Sequence, residues 1–422
     1  LSTISNNTLL SVFLLFPLVV VADDTTFEVD GHSKSRVLAD VYPANSAFEP
    51  MAGKSAGSLA EELRINLSSN WGKWTFDTAW QLYGAWGDRI ELLRGVSGLS
   101  LPGLDYLQAD DRRLLNLTST ITDDDNRVAF HRLDRLTATW SSDKFVVRIG
   151  RQAITWGNGL VFSPMDIVNP FDPTAVDTEY KPGDDMIYGQ YLRDNGDDIE
   201  FAQVYRQDPV SGDTNTAAMT TAVKYHGFAG QGEYDVLVSK HHDETTIGIG
   251  GNRSVGGAVV HGDIVWTDGE GGSKLQLVTN VSYSWVWGAR NVNGMLEYYY
   301  NGFGQPSEHY GLAGLAQNRA LIDRLQRGET FTLGRKYLAG GLTIEMSPLW
   351  MLTPNLFANL DDGSALFRLV TRNSLGDDAE FLGAVSVPIG SAGSEFGGLK
   401  SGLPGVYLAT SLSLFAQFSF YF

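Results

Sequence analysis

Along most of the chain, apolar and polar residues alternate with a period of two. The last segment shows this most clearly. In residues 405–422, Leu408, Thr410, Leu412, Leu414, Ala416, Phe418, Phe420 and Phe422 fall on one face, with Ala409, Ser411, Ser413, Gln417 and Ser419 on the other. Residues 273–288 repeat the pattern, Leu275, Leu277, Val281, Tyr283, Trp285 and Trp287 opposing Lys274, Gln276, Asn280, Ser282 and Ser284. Such alternation predicts strands with one apolar and one polar face. It places strands near 74–85, 127–140, 144–156, 185–193, 198–206, 217–228, 231–239, 243–250, 257–266, 273–288, 293–301, 332–346, 350–360, 364–372, 379–388 and 405–422.

The connections between these strands sort by parity. Short turns fall at 141–143, 194–197, 229–230, 290–293, 347–348 and 373–378. The alternate set holds the long loops 157–184, 207–216, 301–330 and 391–404, with 267–272 a shorter member. Tight turns at one end and long loops at the other belong to a membrane barrel, whose closed sheet leaves no unpaired backbone in lipid. After residue 22 no run of about 18 apolar residues offers a helical span. The predicted fold is therefore all-β: a transmembrane antiparallel β-barrel of about 16 strands, with short periplasmic turns and long extracellular loops. Counting 59–70 and 113–122 as well gives about 18, at the cost of placing 89–111 in the periplasm.

The amino-terminal end reads differently. Leu9–Ala22 is an uncharged apolar run interrupted by Pro17, and the chain turns acidic at Asp23 and Asp24. Residues 1–22 are expected to be a signal peptide, although Leu1–Thr8 carry no Lys or Arg. Residues 23–58 show no clear period and are expected to be a flexible periplasmic or lumen-dwelling segment, leaving 59–422 as the barrel.

Composition narrows the function classes. The 422 residues include 47 Gly, 14 Pro and no Cys, which excludes disulfide scaffolds and Cys-ligated metal centres. With 31 Lys plus Arg against 49 Asp plus Glu, the formal net charge is −18. That excess argues against nucleic acid as a partner. Trp140, Trp156, Trp266, Trp285, Trp287 and Trp350 lie near predicted strand ends, where an aromatic girdle belongs.

One segment adds a family resemblance. Leu133–Leu136 (LDRL) and Gly150–Met186 (GRQAITWGNGLVFSPMDIVNPFDPTAVDTEYKPGDDM) resemble porin-like outer-membrane barrels of Gram-negative bacteria. The likeness is to a proteobacterial group distantly similar to alginate-export porins, and it is strongest over 127–191. The resemblance implies a bacterial outer-membrane location. Phe418, Phe420 and Phe422 resemble the signal such barrels show their assembly machinery. Lipid and lipopolysaccharide are the other expected partners, with a periplasmic protein possible. The group is also thought to include barrels working beside inner-membrane exporters of hydrophobic molecules.

The same segment supplies the candidate site. His131, Arg135, Thr137 and Thr139 share one face of a predicted strand, and Arg148 lies on the lumen face of the next. Arg135 and Arg148 are thus expected in a basic ladder on the inner wall. The following loop carries Asp166, Asp172, Asp177, Glu179, Asp184 and Asp185, plus Lys181. Folded into the pore, those carboxylates would face arginines across a constriction. The alternative is that the arginines brace the loop within a polar lumen. Lys274 completes the pore-lining candidates. Residues 311–328, with Leu312, Leu315, Ile322 and Leu325 at helical spacing, predict a short amphipathic helix in an external loop.

Enzyme and metal motifs are weak. Gly53-Lys54-Ser55-Ala56-Gly57 matches G-x-S-x-G without a strand–turn–helix context. His241-His242-Asp243-Glu244 sits in a tight hydrophilic turn, and Asp123-Asp124-Asp125 is a linear acidic run. No catalytic residue, metal or cofactor is expected. Three functions remain from the residues: a passive channel for small solutes, possibly charge-selective; a non-conducting element of a lipid or hydrophobe export assembly; and, least favoured, a membrane hydrolase. An open lumen with charged walls favours the first, and a lumen filled by aromatic side chains the second.

Overall fold

The computed structural model describes residues 18–22, 25–96, 110–305 and 310–422. Eighteen antiparallel strands close into a barrel. The wall begins with β1 (Thr25–Val41), β2 (Ser55–Trp71), β3 (Trp74–Trp86), β4 (Arg127–Ser141) and β5 (Phe145–Gln152). It continues with β6 (Asp184–Leu192), β7 (Asp198–Val204), β8 (Thr220–Ala229), β9 (Gly232–His241) and β10 (Glu244–Val255). Next come β11 (Ala258–Asp268), β12 (Lys274–Trp287), β13 (Arg290–Asn301) and β14 (Lys336–Ser347). The last four are β15 (Trp350–Asn359), β16 (Ala365–Ser374), β17 (Ala379–Ile389) and β18 (Leu412–Tyr421). Each strand pairs with the next, and β18 pairs with both β17 and β1 to close the ring.

Burial is inverted relative to a water-soluble domain. Ile249, Ile264, Leu275, Leu296, Val385 and Phe418 are exposed on the outside, whereas Lys34, Arg64, Asp263, Asn280, Glu297 and Gln417 are buried inside. An apolar exterior around a polar interior is what lipid demands of a barrel wall. Among the described residues no helix is long and apolar enough to cross a membrane. Trp71, Trp74, Trp287 and Trp350 are exposed at the turn end, and Trp86 and Trp266 at the long-loop end. Trp156 departs from the girdle expectation: it is buried inside the lumen and donates to Glu200 at 2.8 Å.

Two expectations need correction. Residues 25–41 are not a flexible tail; they form β1 and make the closing seam, so the barrel has two more strands than the favoured count. The reason is chemical. The lumen face of β1 carries Glu28, Asp30, His32, Lys34, Arg36 and Asp40, while its outer face is small at Ser33, Ser35 and Ala39, so no hydrophobic alternation marks it. The route to 18 also differs from the alternative count. Of its two added strands, 59–70 lies within β2, but the strand Thr118–Asp124 only extends the edge of β4 beyond β5. The described residues of this connection, 87–96 and 110–126, therefore lie at the long-loop end. Of the expected signal peptide, 1–17 fall outside the described residues, while Leu18–Ala22 pair with Thr25–Val29 of β1.

Several loops fold over the mouth. Helix α1 (Glu49–Ala52) and helix α2 (Asp88–Val96) sit above β2, with Ile90 packed on Ala60, Tyr83, Val128 and Phe130. The expected loop helix is present as α3 (Leu312–Leu315) and α4 (Arg319–Gln326), and Leu315 and Leu321 pack on Tyr310, Leu333 and Leu399 at the rim.

Candidate pore and constriction

The loop 153–183, between β5 and β6, folds into the lumen. Its first part is fixed by buried acids on the opposite wall. Asp263 accepts from the backbone N of Asn158 at 2.7 Å, and Asp235 from its Nδ2 at 3.0 Å. Glu297, fully buried on β13, accepts from the backbone N–H groups of Leu160 at 2.6 Å, Val161 at 3.1 Å and Phe162 at 2.7 Å. A charged acceptor satisfies three donors that the irregular backbone cannot pair for itself. Apolar packing then fills this side of the lumen. Met165, Ile167 and Val168 bury against Ala202, Val204, Ala222, Leu237 and Val265. Phe162 stacks on Tyr299 at 4.6 Å between ring centres and reaches Tyr337 and Phe357.

Past Asn169, whose φ of 49° turns the chain before Pro170, the loop crosses the barrel. Asp172 accepts from the backbone N and the hydroxyl of Thr174, both at 2.7 Å, closing a tight turn. Arg368 on β16 donates to the Thr174 carbonyl. On the far wall Asp177 pairs with Lys34 at 2.8 Å and Arg36 at 3.1 Å, and Glu179 with Lys34 at 2.6 Å. Tyr421 donates to Glu179 at 3.1 Å. Tyr180 lies over the Arg64 guanidinium, 4.1 Å from it. The return leg is held by Lys181 on Asp166 at 2.6 Å and by Arg135, which donates to the Lys181 carbonyl.

Three cavities surround this crossing. One of about 540 Å³ lies at the long-loop end toward α4. A second of about 560 Å³ lies between the crossing segment, α2 and the wall from β16 round to β4. The two share Asp172, Asp177 and Tyr180. A third of about 260 Å³ opens toward the turn end, between Pro173–Val176 and β14–β17. Ala175 lines all three, and Arg368 lines the second and third. The segment 172–177 and Arg368 therefore stand between these cavities.

The electrostatics of the loop follow from burial and pairing. Burial pushes the Asp166 carboxyl up to about 6 against the pull of Lys181, and the same burial lowers Lys181. Burial also raises Asp172. Burial acts to raise Asp177 too, but Lys34 and Arg36 outweigh it and hold the group below its ordinary value.

Of the predicted site residues, Asp172 and Asp177 stand at the constriction, and Glu179, Asp166 and Lys181 brace the loop. Arg135 faces the lumen but is held by Asp134 at 2.9 Å and by the loop carbonyl, which is the bracing role. Arg148 faces the lumen near Thr139 and Tyr188 and lines none of the three cavities. Asp184 sits at the rim, paired with Arg206 at 2.9 Å, beside the fully buried Arg151, which joins Asp110 and Asp185. Lys274 lies at the rim, away from the constriction. His131 is a correction: it is on the outer face, tilted against Trp80 with ring centres 6.2 Å apart. A bulge in β4 near Asp134 shifts the register and reverses the period-two phase, so Arg132 and Asp134 face inward beside Arg135. Arg135 and Arg148 keep their expected lumen face, Arg135 against Asp134 and the loop carbonyl and Arg148 by Thr139 and Tyr188. The basic groups on the larger cavity are Lys34, Arg36, Arg64, Arg89, Arg132, Lys181 and Arg368.

At the rim, His241, His242 and Glu329 bring three potential ligand atoms within 4.8 Å of one another. Glu329 is already paired with Arg327 at 2.6 Å, and the positive charge there opposes a cation.

No family model matches the chain, and no curated protein matches it by sequence. Solved structures match its fold over nearly the whole chain. Pseudomonas aeruginosa OccK5 (OpdH) has a TM-score of 0.52 at 9% identity, covering 94% of this chain and 98% of that one. A BenF-like porin from Pseudomonas fluorescens Pf-5 gives 0.51 at 9%, covering 94% and 98%. Acinetobacter baumannii OccAB1 gives 0.50 at 10%, covering 95% and 97%. A closed barrel with an apolar exterior, a polar lumen and an in-folded loop thus defines a porin-like β-barrel. Its place is the bacterial outer membrane.

Proposed function

We propose that the protein is a passive channel for small polar solutes, entered at the long loops on the cell exterior and left at the tight turns on the periplasmic side. The observation that carries this reading is the set of three cavities, which meet wall to wall at Ala175. Polar and charged groups there replace part of a solute's hydration shell, and flow follows the gradient. The reading involves no catalytic step and no cofactor, and the barrel's partners are lipid, lipopolysaccharide and the assembly machinery.

The test is single-channel conductance of the purified barrel in a planar bilayer. Stable steps are expected. A folded barrel that stays silent overturns the channel.

A second reading has its own observation. The side of the lumen packed by Phe162, Met165, Ile167 and Val168 is apolar and rich in aromatic groups. That filling suits a non-conducting component of an assembly that moves lipids or other hydrophobic molecules, the role suggested by the resemblance of 127–191. Silence in the bilayer together with retention of a periplasmic partner from the same membranes would favour it.

A further inference from the structure

We infer that two adjacent histidines where β9 turns into β10, His241 and His242, form an acid-released latch that holds α4 against the outer vestibule. The motion stands apart from the channel reading. Its consequence, a wider entrance for bulky solute in mildly acid surroundings, rests on that reading.

The turn itself is strained. Its two central residues, His242 and Asp243, have φ of 48° and 63°, the left-handed region that Asn and Gly normally occupy in two-residue hairpin turns. An imidazole is held there all the same, edge-on to the ring of His241 with centres 4.6 Å apart.

Both rings meet one carboxylate. Glu329, just past α4, lies 3.0 Å from His241 Nε2 and 3.5 Å from His242 Nε2. From the same loop Arg327 pairs with Glu329 at 2.6 Å, and Arg324 lies 3.9 Å from it and pairs with Glu244 of β10. From the connection before β8, Arg206 donates to the Thr220 hydroxyl at 2.8 Å and pairs with Asp184 at 2.9 Å. Lys240 is held by Asp243 at 2.6 Å, and Arg112 donates to the Gln326 carbonyl at 3.4 Å. The in-folded loop brings Asp166 to the small cavity beside His241, where Lys181 holds it. Arg206, Arg324 and Arg327 thus stand against Asp184, Glu244 and Glu329, a balance that lasts only while both imidazoles are neutral.

The hydrogen bonds select that neutral form. The Thr220 hydroxyl accepts from Arg206, so its own proton goes to His241 Nδ1, 2.7 Å away. His241 then keeps its single proton on Nε2, toward Glu329. A second proton would aim two donors at one hydroxyl and add charge beside three arginines. Burial first, and then His241, lower the basicity of His242. Because that latched value is lowered, the tie is complete above the ordinary imidazole range and weakens as pH falls below about 6.5. An ordinary carboxylate titrates lower, at about 4.3, so the histidines respond before Glu329 does. Once released, α4 keeps its apolar footing at Leu321 and loses its charged one.

Ion conductance is governed deeper, where 172–177 crosses the lumen, so a distance is measured instead. Nitroxides are placed on Asp323→Cys of α4 and Glu91→Cys of α2, both exposed positions, in the full-length barrel, which has no other Cys. Double electron–electron resonance gives the distance distribution at about pH 7.5 and at about pH 5. One tied distance is expected at the higher value, and at the lower the released population should grow about threefold or more. His241→Gln combined with His242→Gln keeps an N–H toward Glu329 but cannot take up a proton, so its distribution should not change with pH. If that double variant does not assemble, Glu329→Gln decides, and it should show the released distance already at about pH 7.5. A wild type with one distribution at both values overturns the latch, as does an equal acid response in the double variant. A tied distance in Glu329→Gln overturns it too. None of these readings needs conduction, so a silent barrel overturns the channel and leaves the latch to its own test.

Discussion

The two sides of the lumen are built on opposite principles. From β6 to β15 the inward face meets loop residues 154–168 in apolar contact, and two of its acids, Asp263 and Glu297, accept from the backbone of that loop. From β16 through β18 to β4 the inward face carries arginines and carboxylates across a cavity of about 560 Å³. The same loop serves both, anchored on the dry side and reaching into the wet one. A constriction has to hold its shape while solute passes, and this barrel obtains rigidity from one half and charge from the other. Close apolar packing stiffens the first half, and ion pairs such as Lys34–Asp177 tie the loop across the second.

The comparison can be broken most forcefully at its anchor. Glu297→Ala takes the acceptor from the N–H groups of Leu160, Val161 and Phe162, of which the last is buried, a loss of roughly 2 kcal/mol or more. We expect the loop to come away from β13, with conductance raised several-fold and frequent flickering, read in single-channel records. A folded variant with wild-type conductance would show that apolar packing alone holds the loop.

A smaller effect is expected on the wet side. Arg36→Ala removes one of two cations from Asp177, at a cost of about 1 kcal/mol for a partly exposed pair, and should raise conductance less than twofold. Acid should act in the same direction. Because the folded-state value of Asp177 is lowered, its contribution is complete above the ordinary carboxylate range and is lost as pH falls through that lowered value. Conductance should therefore rise only below about pH 4. A rise near neutrality would point to another group.

The smallest effect belongs to His131→Ala. This side chain lies outside the wall beside Trp80. Conductance and selectivity should stay unchanged, and any shift in selectivity would place it in the lumen after all.

Strand positions were legible in the sequence because a lipid-facing strand must be apolar at every second residue. Where that rule relaxes, the reading failed. The outer face of β1 carries Ser33, Ser35 and Ala39, and its information lies in the charges of the opposite face. The bulge at Asp134 was invisible because one inserted residue leaves composition untouched while exchanging inside for outside. The in-folded loop was legible from its acids and its Asn169–Pro173 turn. Arg368 was not, since its contact with the Thr174 carbonyl joins positions 194 apart in the chain. The regular signal β1 does carry is polar, with Lys34 and Arg36 alternating on one face.

The seam between β1 and β18 carries a consequence for how the molecule comes into being. Arg36 and Gln417, joined across it by a hydrogen bond of 2.6 Å, lie 381 positions apart in the chain. Every other wall contact is between consecutive strands and can form as the polypeptide is delivered. Closure alone must wait for the final residues to arrive. Until then the growing sheet has two raw edges with no neighbour, which lipid does not tolerate and which invite pairing with other chains. Both edges are lost in one event, when Leu412–Tyr421 finds Thr25–Val41.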